Sequence, residues 1–214
     1  MNCAFNEDYY ERGIEKGVSG YSNYRWIPEL TIPLCFRIIE ILEIEGDHKV
    51  LDFGCAKGYL VKGFRLLHRE AYGVDISDYA ISQSPAEIRP YLYHMNDGDS
   101  IPLPPQGLEY DCYDAVVAKD VLEHIPYNKI VGVLQEIRKV SSYVFVVVPL
   151  GENGKYNVPA YENDVTHIIR EPLEWWKDIF KEANFSVWKA KYKMDYIKSN
   201  WAQWEKGNGF FVLE

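Results

Sequence analysis

The sequence has no apolar run near the roughly 18 residues that a membrane-spanning helix requires. Its opening stretch, MNCAFNEDYYERG, also lacks the apolar core of a signal peptide. Neither membrane insertion nor export is expected, and a cytoplasmic location is. Cysteine is scarce: Cys3, Cys35, Cys55 and Cys112 are scattered, with no CxxC pair and no metal-type spacing. That excludes a disulfide framework and gives no reason to expect a metal. Basic residues are short as well, with 23 Lys and Arg against 32 Asp and Glu for a net charge of −9. No more than two basic residues are adjacent, so the phosphate-neutralising surface that nucleic-acid binding depends on is not expected.

What remains is a chain of 214 residues, 47% hydrophobic and rich in tyrosine (17) and tryptophan (6), long enough for one well-filled domain. Residues 6 to 26 are polar and tyrosine-rich, with three glycines, and read as a short helix followed by a loop. Residues 30 to 44 carry apolar residues at helical spacing, with Gly46 as the expected stop. From there strands and helices alternate. Strands are predicted at 49–53, 71–76, 91–95, 114–119 and 143–149. Helices are predicted at 59–68, at 78–84 with Asp78 as N-cap, and at 128–140. YVFVVVP (143–149) is an unbroken apolar run, as a strand buried on both faces should be. More than 20 residues without periodicity follow Pro149, then a helix over 172–185 and two last strands. The pattern predicts an α/β fold with a doubly wound, seven-stranded, mostly parallel sheet. The expected organisation is an N-terminal helical lid over 1–46 and the sheet domain over 47–214.

The stretch HKVLDFGCAKGYL (48–60) ends its strand in a loop nearly devoid of side chains, at the place where open α/β sheets bind ligands. It does not fit the dinucleotide fingerprint G-x-G-x-x-G. Gly54, Ala56 and Tyr59 would occupy the three glycine positions, and Asp52 would do nothing for a pyrophosphate.

Asp52-x-Gly54-x-Ala56-x-Gly58 instead resembles motif I of the class I S-adenosylmethionine-dependent methyltransferases, with Ala56 in place of the middle glycine. Companion motifs follow in order. Asp75, at the end of the second strand with Ile76 beside it, matches the carboxylate that accepts both ribose hydroxyls. NDGDSIPLP resembles the segment whose Asp takes the adenine amino group. Counting back from Pro102, Asp97 aligns there better than Asp99, with Gly98 beside it, although either carboxylate could cap the local turn. YDAVVAKDVLEHIP (113–126) resembles motif IV, which implies backbone contacts from Ala118 and Lys119 to the methionine end. The resemblance covers residues 48–149 most closely, and it implies S-adenosylmethionine as cofactor.

An in-line methyl transfer chiefly needs positioning, and a hydroxyl acceptor also needs a base. AYENDVTHIIRE offers His167 as that base, oriented by Asp164 or by Glu162, although Thr166 and His167 could equally serve to pin the loop. Tyr9, Tyr10, Tyr21, Tyr24 and Arg25 are candidates for a lid, with Tyr21 and Arg25 reaching the cofactor's carboxylate. Ordinary packing explains Tyr9 and Tyr10 as well. His124 reads as structural, and Trp175 and Trp176 as helix-packing residues. No Asn-Pro-Pro-Tyr or Asp-Pro-Pro-Tyr follows the fourth strand, which argues against methylation of base amino groups. The sequence also resembles methyltransferases of bacterial surface-polysaccharide pathways. This implies a small polar acceptor, a hydroxyl or phosphate-type oxygen on a sugar or nucleotide-activated sugar. The competing expectations are an NAD(P)-dependent oxidoreductase and a methyltransferase-like subunit without activity. Oligomeric state is not legible.

Overall fold

The computed structural model describes residues 4–104 and 112–214. Cys3 lies outside them. Two short helices, α1 (Glu7–Glu11) and α2 (Gly13–Lys16), lead to α3 (Pro28–Leu42). Then come β1 (Lys49–Phe53), α4 (Tyr59–Leu66), β2 (Glu70–Asp75), α5 (Asp78–Ser82), β3 (Leu92–His94) and β4 (Ala115–Lys119). They are followed by α6 (Ile130–Val140), β5 (Val144–Pro149), a two-residue-per-arm hairpin of β6 (Gly151–Glu152) and β7 (Lys155–Tyr156), α7 (Leu173–Glu182), β8 (Val187–Lys191) and β9 (Asn208–Leu213).

The main sheet has the order β3-β2-β1-β4-β5-β9-β8. Its first five strands are parallel, while β9 runs antiparallel to both β5 and β8. The chain winds outward from β1 in both directions, so the switch point lies between β1 and β4. Helices cover both faces, and the pleat divides the core accordingly. Leu51, Val116, Val146 and Phe211 pack with α6 and α7, whereas Val50, Val117, Phe145 and Val212 pack with α3 and α4. β5 is buried along its whole length, as its apolar run predicts. Trp176 is fully buried in the first of these layers.

Although α3 falls in the N-terminal segment, it belongs to the sheet's core. Leu34, Cys35 and Ile38 pack among Val50, Val61 and Phe64. Close approach is possible because Gly63 faces it: a Cβ there would sit 2.5 Å from Cys35 Sγ.

Three local expectations are corrected. The third helix ends at Leu42 rather than at Gly46, because Glu43 itself turns left-handed (φ 51°) and its N–H closes onto Ile39 O. The N-cap of α5 is Ser77, whose hydroxyl accepts from Ala80 N at 3.0 Å, and Asp78 is the first helical residue. The aperiodic stretch after Pro149 is structured, as the β6–β7 hairpin turning through Asn153 and Gly154 and a 3₁₀ turn over Pro159–Asn163. Among the described residues, no helix is long and apolar enough to cross a membrane.

Candidate functional site

A cleft of about 2010 Å³ opens at the carboxyl ends of β1, β2 and β4. Beyond β1 the chain turns back, and Gly54 N and Cys55 N both donate to Val74 O. Gly54 (φ 80°), Ala56 (φ 49°) and Gly58 (φ 74°) all have left-handed backbones. The two glycines serve packing directly. A Cβ on Gly54 would lie 2.4 Å from Val121 Cγ2, and one on Gly58 would lie 2.6 Å from Ile88 Cδ1. The missing side chains therefore make room for neighbouring elements, while the backbone between them faces the cleft. Gly58 caps α4 and is not itself part of the lining, unlike Gly54 and Ala56.

Two carboxylates sit at this end. Asp75, at the tip of β2, accepts from Ala56 N through Oδ2 and from Ser77 N through Oδ1, both at 2.7 Å. Burial raises its pKa, and the Ala56 and Ser77 amides partly offset that. Asp52 is only 2% exposed. Burial pushes it up to about 7, Lys119 pulls it down, and the neighbouring Asp75 adds to the rise. Ile76 is exposed and lines the cleft next to Asp75.

The far rim is formed by Asp97, Gly98 (φ 92°) and Asp99. Asp99 caps its own turn, accepting from Asn96 N and Nδ2 at 2.7 and 2.9 Å. Asp97 instead pairs with Lys129 at 2.6 Å and stays exposed. Ala118 is fully buried, with its side chain in the core, and only its backbone lies in the strand beside β1. The Lys119 ammonium is held by Asp120.

The other end of the cleft is built by segments far apart in sequence. After β4, Asp120 (φ 54°) bridges Lys119 and Lys198, each at 2.5 Å. Burial alone would raise Asp120, but the two ammonium groups overcome it and hold the carboxyl well below its ordinary range. A 3₁₀ turn, Leu122–His124, then places Glu123 and His124 inward. Ile168 N and Ile169 N both donate to Glu123 O, so this turn is stitched to the segment carrying Asp164 and His167.

His167 Nδ1 lies 2.9 Å from Tyr161 O. A carbonyl only accepts, so the proton sits on Nδ1 and the Nε2 lone pair is free. That nitrogen is 3.9 Å from both Asp164 Oδ2 and Glu123 Oε1. Burial lowers the His167 pKa, and Asp164 offsets part of the effect. Orientation thus comes from the Tyr161 carbonyl and not from Asp164 or Glu162. Glu162 faces elsewhere, accepting from Tyr156 N and pairing with Arg170. Asp164 accepts from Thr166 N, Thr166 Oγ1 and Tyr9 Oη.

The N-terminal segment closes over this junction. Tyr9 reaches Asp164, the Phe5 ring meets the His124 ring edge-on, and Lys57 of the glycine loop holds both Glu11 and Tyr24 O. Tyr21 and Arg25 line the cleft, and Arg25 has no carboxylate partner among the described residues. No local signal in the sequence marks Lys198, whereas Asp120, Glu123 and His124 all lie inside the motif IV segment, where the resemblance by itself assigns them no role.

The sequence model of a family described as methyltransferase domain matches residues 31–190. No curated protein matches the sequence. Among solved structures, a SAM-dependent methyltransferase from Archaeoglobus fulgidus is similar at TM-score 0.60 and 17% identity, over 87% of this chain and 94% of that one. One from Aquifex aeolicus is similar at TM-score 0.59 and 15% identity, over 86% and 90%. A structure of the complex between the Haloferax volcanii Trm112 methyltransferase activator and a methyltransferase is similar at TM-score 0.58 and 18% identity, over 83% and 88%. At these identities the likeness to solved structures shows the fold.

Proposed function

Since the chain belongs to the methyltransferase-domain family, with S-adenosylmethionine as its methyl donor, we propose that it methylates a hydroxyl of a small polar acceptor, a sugar or nucleotide-activated sugar. The residues present fit the donor. The carboxylate oxygens of Asp75 keep lone pairs for two ribose hydroxyls beyond the amide bonds they accept. Asp52 offers a buried negative charge to an ammonium, Arg25 a cation to a carboxylate, and Asp97 an acceptor at the adenine rim. Tyr21 and the backbone at Ala118 and Lys119 complete the methionine end. The loop's own basic side chain, Lys57, is turned away to Glu11 and Tyr24 O. When bound, S-adenosylmethionine supplies a methyl group already activated by its sulfonium.

Space supports a second molecule. Pockets for one small ligand span about 300–1,000 Å³, and this cleft exceeds that. The observation that carries the reading is His167, whose Nδ1–H is fixed on Tyr161 O and whose bare Nε2 faces the cleft beside Asp164. In this role Nε2 takes the acceptor's proton, and Asp164 steadies the charged ring that results. The wall formed by Asp120, Glu123 and Asp164 offers oxygen acceptors to the hydroxyls of a polar acceptor, with the Lys119 and Lys198 ammonium groups beside Asp120. The free thiols of Cys35, Cys55 and Cys112 are consistent with a reducing cytoplasm.

The test is to incubate the protein with S-adenosylmethionine and panels of nucleotide sugars, sugar phosphates, free sugars and amines, and to identify the product by NMR. An O-methyl sugar supports the proposal. Methylation of amines with every hydroxyl acceptor inert would overturn it.

A further inference from the structure

We propose that Glu123, His124 and His167 form a binding site for a divalent transition-metal ion at the acceptor end of the cleft. The ligand atoms of these three side chains lie within 4.8 Å of one another. They come from two segments that backbone bonds from Ile168 and Ile169 to Glu123 O hold together. Two imidazoles and one carboxylate form a donor set suited to zinc, iron, cobalt or manganese, with coordination positions left open.

Tautomers and unmet hydrogen-bonding capacity both favour this site. His167 donates Nδ1–H to Tyr161 O, which leaves the Nε2 lone pair exposed. His124 is fixed in the same way. Thr166 Oγ1 gives its only proton to Asp164 Oδ1, so it must accept from His124 Nδ1 at 2.8 Å. Both rings therefore present a bare Nε2, each oriented by an outer partner as metal-ligating histidines are. The rings are neighbours, with centroids 4.7 Å apart. Glu123, 1% exposed, has an Oε2 with no hydrogen-bond partner, and its Oε1 faces His167 Nε2 at 3.9 Å. Glu123 thus lies between burial and the neighbouring Asp120, which favour its neutral form, and the Lys198 and Lys119 ammonium groups, which favour its charged one, and an ion held with the two imidazoles would favour the charged carboxylate further. Tetrahedral ligands at metal distances are roughly 3.4 Å apart, so the 3.9 Å pair needs to close by only about half an ångström. The linear sequence hides this site, because residue 167 lies far from the adjacent 123 and 124.

The inference goes beyond methyl transfer, and its binding claim does not rest on the acceptor assignment. Its catalytic consequence does rest on it. With an ion bound, the His167 lone pair is a ligand and does not take the acceptor's proton, so the metal-bound site and the His167 base are alternative states of the same residues.

The experiment is a titration of chelator-treated full-length protein with Co²⁺, followed by visible absorption and by calorimetry. One equivalent should bind, and E123Q and H124Q should each weaken binding at least 100-fold. Thr166→Val, which removes the outer partner of His124 together with one donor to Asp164, should weaken it about 10–100-fold. His48→Ala, in the separate surface group of Glu45, Asp47 and His48, should leave it unchanged. Melting curves and S-adenosylhomocysteine affinity measured on the same samples report whether each variant is folded and its cofactor end intact. Tight binding that survives E123Q and H124Q, binding that falls with His48→Ala, or failure of the folded wild type to bind Co²⁺ would overturn the metal site. With S-adenosylhomocysteine affinity retained, such a failure would leave the methyltransferase reading standing.

Discussion

Tyr9 and Asp164 share a buried 2.7 Å hydrogen bond across 155 residues of sequence, joining the N-terminal segment to the loop that carries His167. The bond fixes one carboxylate oxygen, while Thr166 holds the other. Tyr9 is 4% exposed, and burial raises its hydroxyl far above the ordinary range, so it remains a donor at every working pH.

Tyr9→Phe should therefore cost about 1–3 kcal/mol, because it strands a buried carboxylate oxygen. Asp164→Asn should cost a similar amount, and the double variant less than the sum of the two. A double-mutant cycle by urea denaturation measures the coupling, and a value below about 0.5 kcal/mol would mean that the two groups act independently.

Asp52 carries a pH signature. Its pKa is about 7 in the fold against 3.8 for an ordinary Asp, so the fold favours the protonated form. Stability from this group is complete below about 3.8 and is lost as pH rises through about 7. Asp52→Asn should then melt higher than wild type above pH 8 without ligand. The donor's ammonium favours the ionised form, so cofactor binding near pH 6.5 should release a proton. Calorimetry in buffers of different ionisation heat detects it, and zero release would contradict the pairing.

The glycine loop makes opposite predictions at two positions. Gly54→Ala puts a methyl 2.4 Å from Val121 Cγ2 at φ 80° and should destabilise by about 1–3 kcal/mol. Ala56 already sits at φ 49°. Ala56→Gly relieves about 1–2 kcal/mol of left-handed strain and loses about 0.5–1 to chain entropy. It should come out neutral to slightly stabilising. Urea denaturation of both variants checks the signs.

His167→Ala should lower turnover about 10²–10⁴-fold, the usual contribution of a positioned base. S-adenosylhomocysteine affinity should be unchanged, because the ring lies at the end of the cleft proposed for the acceptor. Steady-state kinetics beside calorimetry separates the two effects.

The parts of this molecule legible in sequence are those written in local pattern. Alternating apolar segments mark the strands, the all-apolar Val144–Pro149 marks a fully buried one, and Asp52-x-Gly54-x-Ala56-x-Gly58 marks the turn into the cleft. Local competition hid some boundaries. The glycine at 46 looked like a helix stop, yet Glu43 took the left-handed turn first. Asn153–Gly154, with φ of 52° and 75°, is the strongest kind of short hairpin signal, and the surrounding polar stretch masked it. The end of the cleft around Asp120 and His167 is illegible for a different reason. Lys198 meets Asp120, Tyr9 meets Asp164 and His124 meets His167 only after the chain has folded, and no periodicity records such pairings.

The most direct test is calorimetric titration of wild type and Asp75→Ala with S-adenosylhomocysteine and, separately, with NAD. The account predicts that wild type binds the adenosyl ligand and not NAD, and that Asp75→Ala weakens binding more than tenfold while the protein remains folded. Binding of NAD, or undiminished S-adenosylhomocysteine affinity in folded Asp75→Ala, would contradict the placement of the donor at the tip of β2.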